Sequence, residues 1–492
     1  CKYDIIHFEN IDARLKFRFK FYFNERRFRM KLIKLSLAAA VCACAVSSLS
    51  AADSVAEAIT NGKFGGTVKT TYASKTVDNR GEAATGDNDY EAFGVGLELG
   101  YVTDPLYGFR IGLTGQGWLM PYHVGSSNKI AYDKEWYTKG AVLSELYLGY
   151  GIGNTDIKAG RQYVVTPLVA GNYTRAFKEA FEGVAISNKD IPDTTLWGGW
   201  FYKFQGRSKT AMGAPAGEGK APLFKDRVIL GNMTGPVAVK FENIFSAYVQ
   251  NKSLPYTTLT GAYAAVTDVK PANALKDGDV SLYLAEANVK VPVGEVLKLG
   301  FDLNYKGSRV DGGLEPRRLD GDMFGARVSV SEFFGFGLSY AYTTVSDDDA
   351  VILGVGNGPG SYTALPIRGP FVFTGYAGMD THKIVLDYNF GAIGLDGFKT
   401  ALHYVKGDQD RVGGTNNINA SGAAGQKVGT SMDVEGWAVT ANYAPKAVKG
   451  LSLGVTYTAL ERSDHYASGV NRKFDENEIW LQAAYKFDLS GN

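Results

Sequence analysis

The 492-residue chain sets 52 Lys and Arg against 51 Asp and Glu, a formal net charge of +1, with 45% hydrophobic residues. So even a balance excludes a chain-wide electrostatic pull towards nucleic acid. Beyond the N-terminal region no stretch approaches 18 consecutive apolar residues, which excludes membrane-spanning helices.

Residues 1–29 are basic and Phe-rich, and read as translated upstream sequence outside the fold. Met30 then opens "MKLIKLSLAAAVCACAVSSLSAADS", with Lys31 and Lys34 at its start, an apolar run and small residues before Asp53. That layout predicts a secretory signal peptide over 30–52. All three cysteines, Cys1, Cys42 and Cys44, fall before Asp53, so the mature part needs no disulfide. The first 52 residues also carry 10 Lys/Arg against 4 Asp/Glu, which leaves the remainder mildly acidic.

From there the chain repeats period two. In "FGVGLELGY" (93–101), Phe93, Val95, Leu97, Leu99 and Tyr101 oppose Gly94, Gly96, Glu98 and Gly100. The same alternation runs through "FRIGLTGQ" (109–116), "SELYLGYGI" (144–152), "LKLGFDLNYKG" (297–307), "LGVTYTAL" (453–460) and "IWLQAAYKFDL" (479–489). Alternate residues of a strand share a face, so this pattern marks strands with two unlike surroundings. Residues 53–492 therefore read as one all-β unit of about eighteen strands.

A soluble sandwich would bury the apolar face; a transmembrane antiparallel β-barrel turns it to lipid and the polar face to a lumen. Three features favour the barrel. The apolar face often ends in an aromatic, as at Tyr101, Tyr305, Tyr342, Tyr404, Tyr443 and Tyr457, which fits interfacial girdles. The other face carries charges mid-strand, which a dry core rejects. The leader followed by a cysteine-free chain suits a bacterial envelope. Short turns near Asn154 and Gly335 also alternate with long links at 121–140, 346–371 and 408–431, the asymmetry of an outer-membrane barrel. About eighteen strands leave an aqueous lumen.

One segment breaks the pattern. After "DIKA" (156–159) alternation stops and resumes only at "GVAI" (183–186). The stretch from about 163 to 182 is too long and irregular for a plain turn, and reads as an inward constriction. It offers Tyr163, Tyr173, Arg175 and Lys178 as lining groups. Arg161 belongs with them if the strand has ended there, although strict alternation from Ile157 and Ala159 points it at lipid. Parity places Arg110, Lys158, Lys203, Lys298, Lys306 and Arg327 on the lumenal face, with Glu98, Glu145, Asp156 and Asp302 among them. Opposed cations and carboxylates would orient a dipolar solute, whereas a ring of one sign would set ion selectivity.

Catalysis finds no support. His123, His382, His403 and His465 are not at metal-ligand spacing with one another, and no Gly-x-Ser-x-Gly elbow is present. "GVGNGPGSY" (354–362) fits neither a P-loop nor a dinucleotide fingerprint and reads as loop. "SDDDA" (346–350) reads as a solvated loop tip in preference to a Ca²⁺ site.

The run "SELYLGYGIGNTDIKAGRQYVVTPLVAGNYTRAFKEAFEGVAI" followed by "DTTLWGGWFYKF" (193–204) resembles the OprD family of outer-membrane porins. Gly160, Arg161 and Gln162 match a strand end that leads into an inward loop, and Phe181, Glu182 and Gly183 match the element that opens the next strand. The match covers about residues 141–205. The resemblance implies an eighteen-stranded barrel passing small solutes, commonly carboxylates or amino acids, along a ladder of basic residues. The ending departs from the usual porin pattern, since "DLSGN" follows Phe487. The expectation is thus a passive, solute-selective diffusion channel of a Gram-negative outer membrane, with no enzyme activity and no cofactor. Its partners would be small hydrophilic solutes, ions, outer-membrane lipid and lipopolysaccharide, with a homotrimer left open. The alternatives are a general, weakly selective porin and, from another class, a surface adhesin or structural barrel.

Overall fold

The computed structural model describes residues 52–490 except 81–87, 125–131, 133, 216, 218, 232–237, 271–275, 368–372, 410–430 and 466–470. The expectations for 1–29 and for the leader up to residue 51 lie outside these residues. A short helix α1 (Val55–Thr60) comes first, capped by the Ser54 hydroxyl, which accepts from the Glu57 N–H.

The strands then follow in order. The first seven are β1 (Lys63–Arg80), β2 (Asn88–Val102), β3 (Phe109–Val124), β4 (Gly140–Ile152), β5 (Thr155–Gln162), β6 (Ala180–Asn188) and β7 (Thr194–Gln205). A two-residue ladder, β8 (Arg227–Val228) with β9 (Val239–Lys240), sits in the loop that follows. Next come β10 (Asn243–Asn251), β11 (Thr257–Val269), β12 (Gly278–Val293), β13 (Leu297–Val310), β14 (Asp322–Phe333) and β15 (Phe336–Val345). The last are β16 (Met379–Asn389), β17 (Phe398–Gln409), β18 (Ser431–Tyr443), β19 (Leu451–His465) and β20 (Asn471–Asp488).

Every barrel strand pairs antiparallel with its chain neighbours, β7 with β10, and β1 with β20, so an 18-stranded sheet closes on itself. Closure removes the free edges that an open sheet exposes. The faces are inverted relative to a soluble protein. On β13, Phe301, Leu303 and Tyr305 are about half exposed, while Asp302, Asn304 and Lys306 are buried. Polar groups inside and apolar groups outside is the arrangement of a transmembrane barrel.

Two aromatic bands bound the apolar face. At the short-turn end, Phe336 packs on Tyr388 and Phe390 on Phe398. At the opposite end, Trp437 packs on Tyr457, and Tyr340 and Tyr342 lie beside His382. The β14–β15 turn shows why the short turns stay short. Phe334 (φ 50°) and Gly335 (φ 90°) both take positive φ, as the tight hairpin turn matching strand twist requires.

The lumen holds more than the single inward segment expected. Parts of three loops, 163–179, 206–242 and 346–378, lie inside it and seal against the wall through apolar seams. One seam joins Leu168, Val169, Leu230 and Val355 to Phe181, Phe201, Ile244 and Leu282. A second joins Phe177 and Ile367 to Trp118, Trp136 and Trp480. A third joins Leu365, Phe373 and Tyr376 to Val405, Val434 and Leu460.

Candidate pore constriction

The inward loop begins with a tight hairpin. Thr166 N–H donates to the Val169 carbonyl at 3.0 Å, and Val169 N–H donates to Thr166 Oγ1 at 3.0 Å. Pro167 occupies the corner where its fixed φ suits such a turn. The hairpin carries Leu168 and Val169 inward to full burial. There Val169 bridges in parallel to Val355 of the 346–378 loop, and Val355 also bridges to Leu230. Gly356 (φ 81°) and Gly358 allow this approach: a Cβ on either would stand 2.2 to 2.5 Å from Ala170. The Gly-rich stretch is thus loop, as expected, but its glycines serve a loop-to-loop contact.

Glu179 ties the three loops together. Its buried carboxylate accepts from Asn172 N–H at 2.9 Å, from Asn357 N–H at 3.1 Å and from Asn357 Nδ2. The Arg207 guanidinium of the 206–242 loop lies 3.4 Å away. A buried charge persists only when it is paired and hydrogen-bonded, and Glu179 is both.

Arg175 is a clamp. Its Nε donates to Glu135 Oε2 at 2.8 Å, and its guanidinium stands 4.0 Å from the Trp480 ring centroid and 5.6 Å from that of Trp136. Lys69 of β1 donates to its backbone carbonyl at 3.0 Å. Arg175 is only 6% exposed, so its charge is spent on rings and carboxylate instead of facing the solute path. Burial opposes ionisation of Glu135, but Arg175 and Arg207 override it and hold the carboxyl down to about 2.

Lys178, three residues on, is placed differently. Gln116 grips its backbone from both sides: Lys178 N–H donates to Gln116 Oε1 at 2.8 Å, and Gln116 Nε2 donates to the Lys178 carbonyl at 3.0 Å. Gln205 Nε2 adds a second donor to that carbonyl at 2.8 Å. With the backbone fixed, the ammonium reaches Glu98 Oε1 of β2 at 2.7 Å. It stands 5.6 Å and 5.9 Å from the Tyr163 and Tyr173 ring centroids. The side chain stays 28% exposed. Lys69 lies within electrostatic reach of both Glu98 and Lys178, with its own ammonium bonded to the Arg175 carbonyl.

Half the circumference away, β13 and β14 carry the facing group. Asp302 pairs with Arg327 at 2.7 Å and accepts from Asn288 Nδ2 at 3.0 Å. Arg327 lies 4.6 Å over the Tyr362 ring, and Tyr362 donates to Glu286 at 2.5 Å. Lys306 donates to the Gly360 carbonyl at 2.6 Å, and Lys383 to that of Ala364. Two buried lysines thus pin the 346–378 loop through backbone oxygens.

The residues singled out from sequence fall into three groups. Tyr163, Tyr173, Lys178, Asp302, Lys306 and Arg327 gather at the inward loops. Arg110 and Lys158 lie lower on the lumenal face: Arg110 binds Asp156, and Lys158 stands over Tyr147 beside a cavity of about 220 Å³ lined by Asp156, Gln162 and Tyr163. Lys298, on the lumenal parity of β13, sits at the short-turn rim and pairs with Glu332 at 2.8 Å. Arg161 and Lys203 are placed otherwise. Unbroken register sets Arg161 opposite Leu146 and Glu182, on the face that exposes Leu148, Val184 and Ile186. A shift in register at Glu182 brings Lys203 beside it on that outer face. The strand does not end before Arg161, so alternation holds and the pore placement fails. Arg175 is corrected too, since it clamps the loop without lining the path.

Lys69, Gln116, Glu135, Glu179 and Lys383 were not singled out. Alternation in "TVKTTY" (67–72) marks Lys69 as lumenal, but nothing local in the sequence marks Glu135 or Glu179. In "SDDDA", Asp349 pairs with Arg318 at 2.7 Å. Among the described residues no cluster of metal-ligating side chains occurs.

Residues 145–225, which span the inward loop and its flanking strands, match the model of the outer membrane porin, OprD family. That segment is similar to the OprD family of porins. The whole barrel is also similar in fold to solved Pseudomonas aeruginosa structures. With OccK9 (OpdG) the TM-score is 0.66 at 17% identity, covering 87% of this chain and 100% of that one. With OccK8 (OprE) it is 0.62 at 16%, covering 87% and 98%. With OpdO it is 0.61 at 19%, covering 87% and 97%. No curated protein matches the sequence. The likeness to these structures is one of fold, and the likeness to the OprD porin model is confined to the inward loop and its flanking strands.

Proposed function

We propose that this OprD-type barrel is a passive, selective channel for small hydrophilic solutes bearing a carboxylate, amino acids among them. The observation that carries the reading is the constriction group, where Lys178 of the inward loop pairs with Glu98 of β2 at 2.7 Å and Lys69 of β1 lies within electrostatic reach of both. A constriction with surplus positive charge between low-dielectric walls raises the local concentration of anions. Tyr163 and Tyr173 give the solute an amphipathic flank, and Arg327 with Asp302 on the opposite wall can orient a dipole across the path. Aligning a zwitterion needs no energy source or cofactor.

Single-channel recording in a planar bilayer under a salt gradient tests this. The expected result is a small, anion-leaning conductance whose reversal potential moves towards cations in Lys178→Ala. Addition of small carboxylates should shorten the open events. A large conductance with rates set by solute size alone would make the protein a general porin. No conductance at all would leave the barrel an adhesin or structural element.

A further inference from the structure

We infer that the outer face of β4–β7, at the long-loop end, binds a phosphate-bearing glycolipid of the outer leaflet. The argument is independent of which solutes pass through the lumen. Short turns lie on the periplasmic side of such barrels and long loops outside, so the end of β5 where Arg161 stands is the outer-leaflet rim.

Arg161 Nε donates to Glu182 Oε2 at 3.0 Å, and Lys203 Nζ lies 3.4 Å from Glu182 Oε1, which also accepts from the Tyr202 hydroxyl at 2.9 Å. Two cations therefore share one carboxylate on a lipid-facing surface. The acid is sunk and the cations are not: the Glu182 side chain is 14% exposed, against 34% for Arg161 and 41% for Lys203. The surplus positive charge points outward.

Its surroundings are apolar. The Arg161 guanidinium stands 4.5 Å from the Phe224 ring centroid, Leu223 beside it is 53% exposed, and Leu143 and Leu146 are exposed on the same face. A third cation stands nearby. Lys139, exposed and immediately before β4, lies four residues ahead of Leu143. Basic groups above an apolar surface match a lipid with phosphate above its acyl chains. A planar guanidinium bonded to Glu182 through Nε, and at 3.4 Å to the Leu143 carbonyl, still has donors free for phosphate oxygens.

Native mass spectrometry of the detergent-purified barrel tests this with added bisphosphorylated lipid A, its dephosphorylated form and inorganic phosphate. The bisphosphorylated lipid should bind at least about tenfold more tightly than the dephosphorylated form, the factor one charge-assisted contact supplies. Lys203→Gln, which keeps the Arg161–Glu182 pair, should weaken binding, and Glu182→Gln should strengthen it. Arg161→Ala should abolish the preference, with folding checked by the heat-induced shift in gel mobility. Three results would overturn the proposal. These are equal binding of the two lipids, variants that bind like wild type, and charge variants that change the number of chains per particle instead of the lipid bound.

Discussion

Arg175 and Lys178 are one loop, three residues apart, and both are cations facing aromatic rings and a carboxylate. They do opposite work. Arg175 is 6% exposed, set between two indoles and Glu135, and holds the loop. Lys178 keeps 28% of its side chain open, with its backbone fixed by Gln116 and Gln205. What separates them is which rings cover each side chain. Trp480 and Trp136 close over the first, while Tyr163 and Tyr173 leave the second open on one side. A charge in a constriction thus has to be asked not only whether it points inward but what covers it.

That contrast can be broken most severely at Glu179. Glu179→Ala would leave Arg207 without its nearest carboxylate and release Asn357, a loss of about 3–5 kcal/mol for a buried pair broken on one side. Limited proteolysis should then cut within 163–179, and channel noise and conductance should both rise. Arg175→Ala is expected to be next in effect, losing about 2 kcal/mol or more from a desolvated cation–π contact. The thermal transition should fall and conductance rise, while the anion preference stays. Unchanged stability with a lost preference would reverse the roles assigned here.

Lys178→Ala is the converse experiment. The thermal transition should hold within a degree or two, because a partly exposed pair contributes about 0–1 kcal/mol. The anion-to-cation permeability ratio should drop severalfold, and Glu98→Gln should raise it.

The smallest effect concerns pH. The Glu135 carboxyl is held at about 2 in the folded loop, below its ordinary value of 4.5. A depressed carboxylate contributes stability that is complete above the ordinary value and is lost as pH falls through the folded one. Protease protection of the loop should therefore be flat from pH 7 to 5 and decline only below about 4.5. A decline that begins near pH 6 would assign the clamp to another group.

Much of this was legible beforehand. Period two marks the strands and their faces, and it is this parity that singles out Asp302, Lys306, Arg327, Arg110 and Lys158. The interruption after Ala159 marked where the chain leaves the wall, and the alternation of short and long links distinguished the two ends. Arg161 follows its parity: alternation points it outward, the register sets it opposite Leu146 and Glu182, and its pair with Glu182 makes that position tolerable.

The sequence by itself determined the barrel, the two faces of each strand and the position of one inward segment, because each is written in residues two apart or in adjoining turns. Only the tertiary structure decided that three loops share the lumen, that Val355 meets Val169, and that Trp480 covers Arg175. Those contacts join positions nearly two hundred residues or more apart, and no local period records them. Closure of the sheet is what brings β20 and β1 beside the loop between β5 and β6. The identity of the clamp and of the filter is therefore a property of the closed barrel.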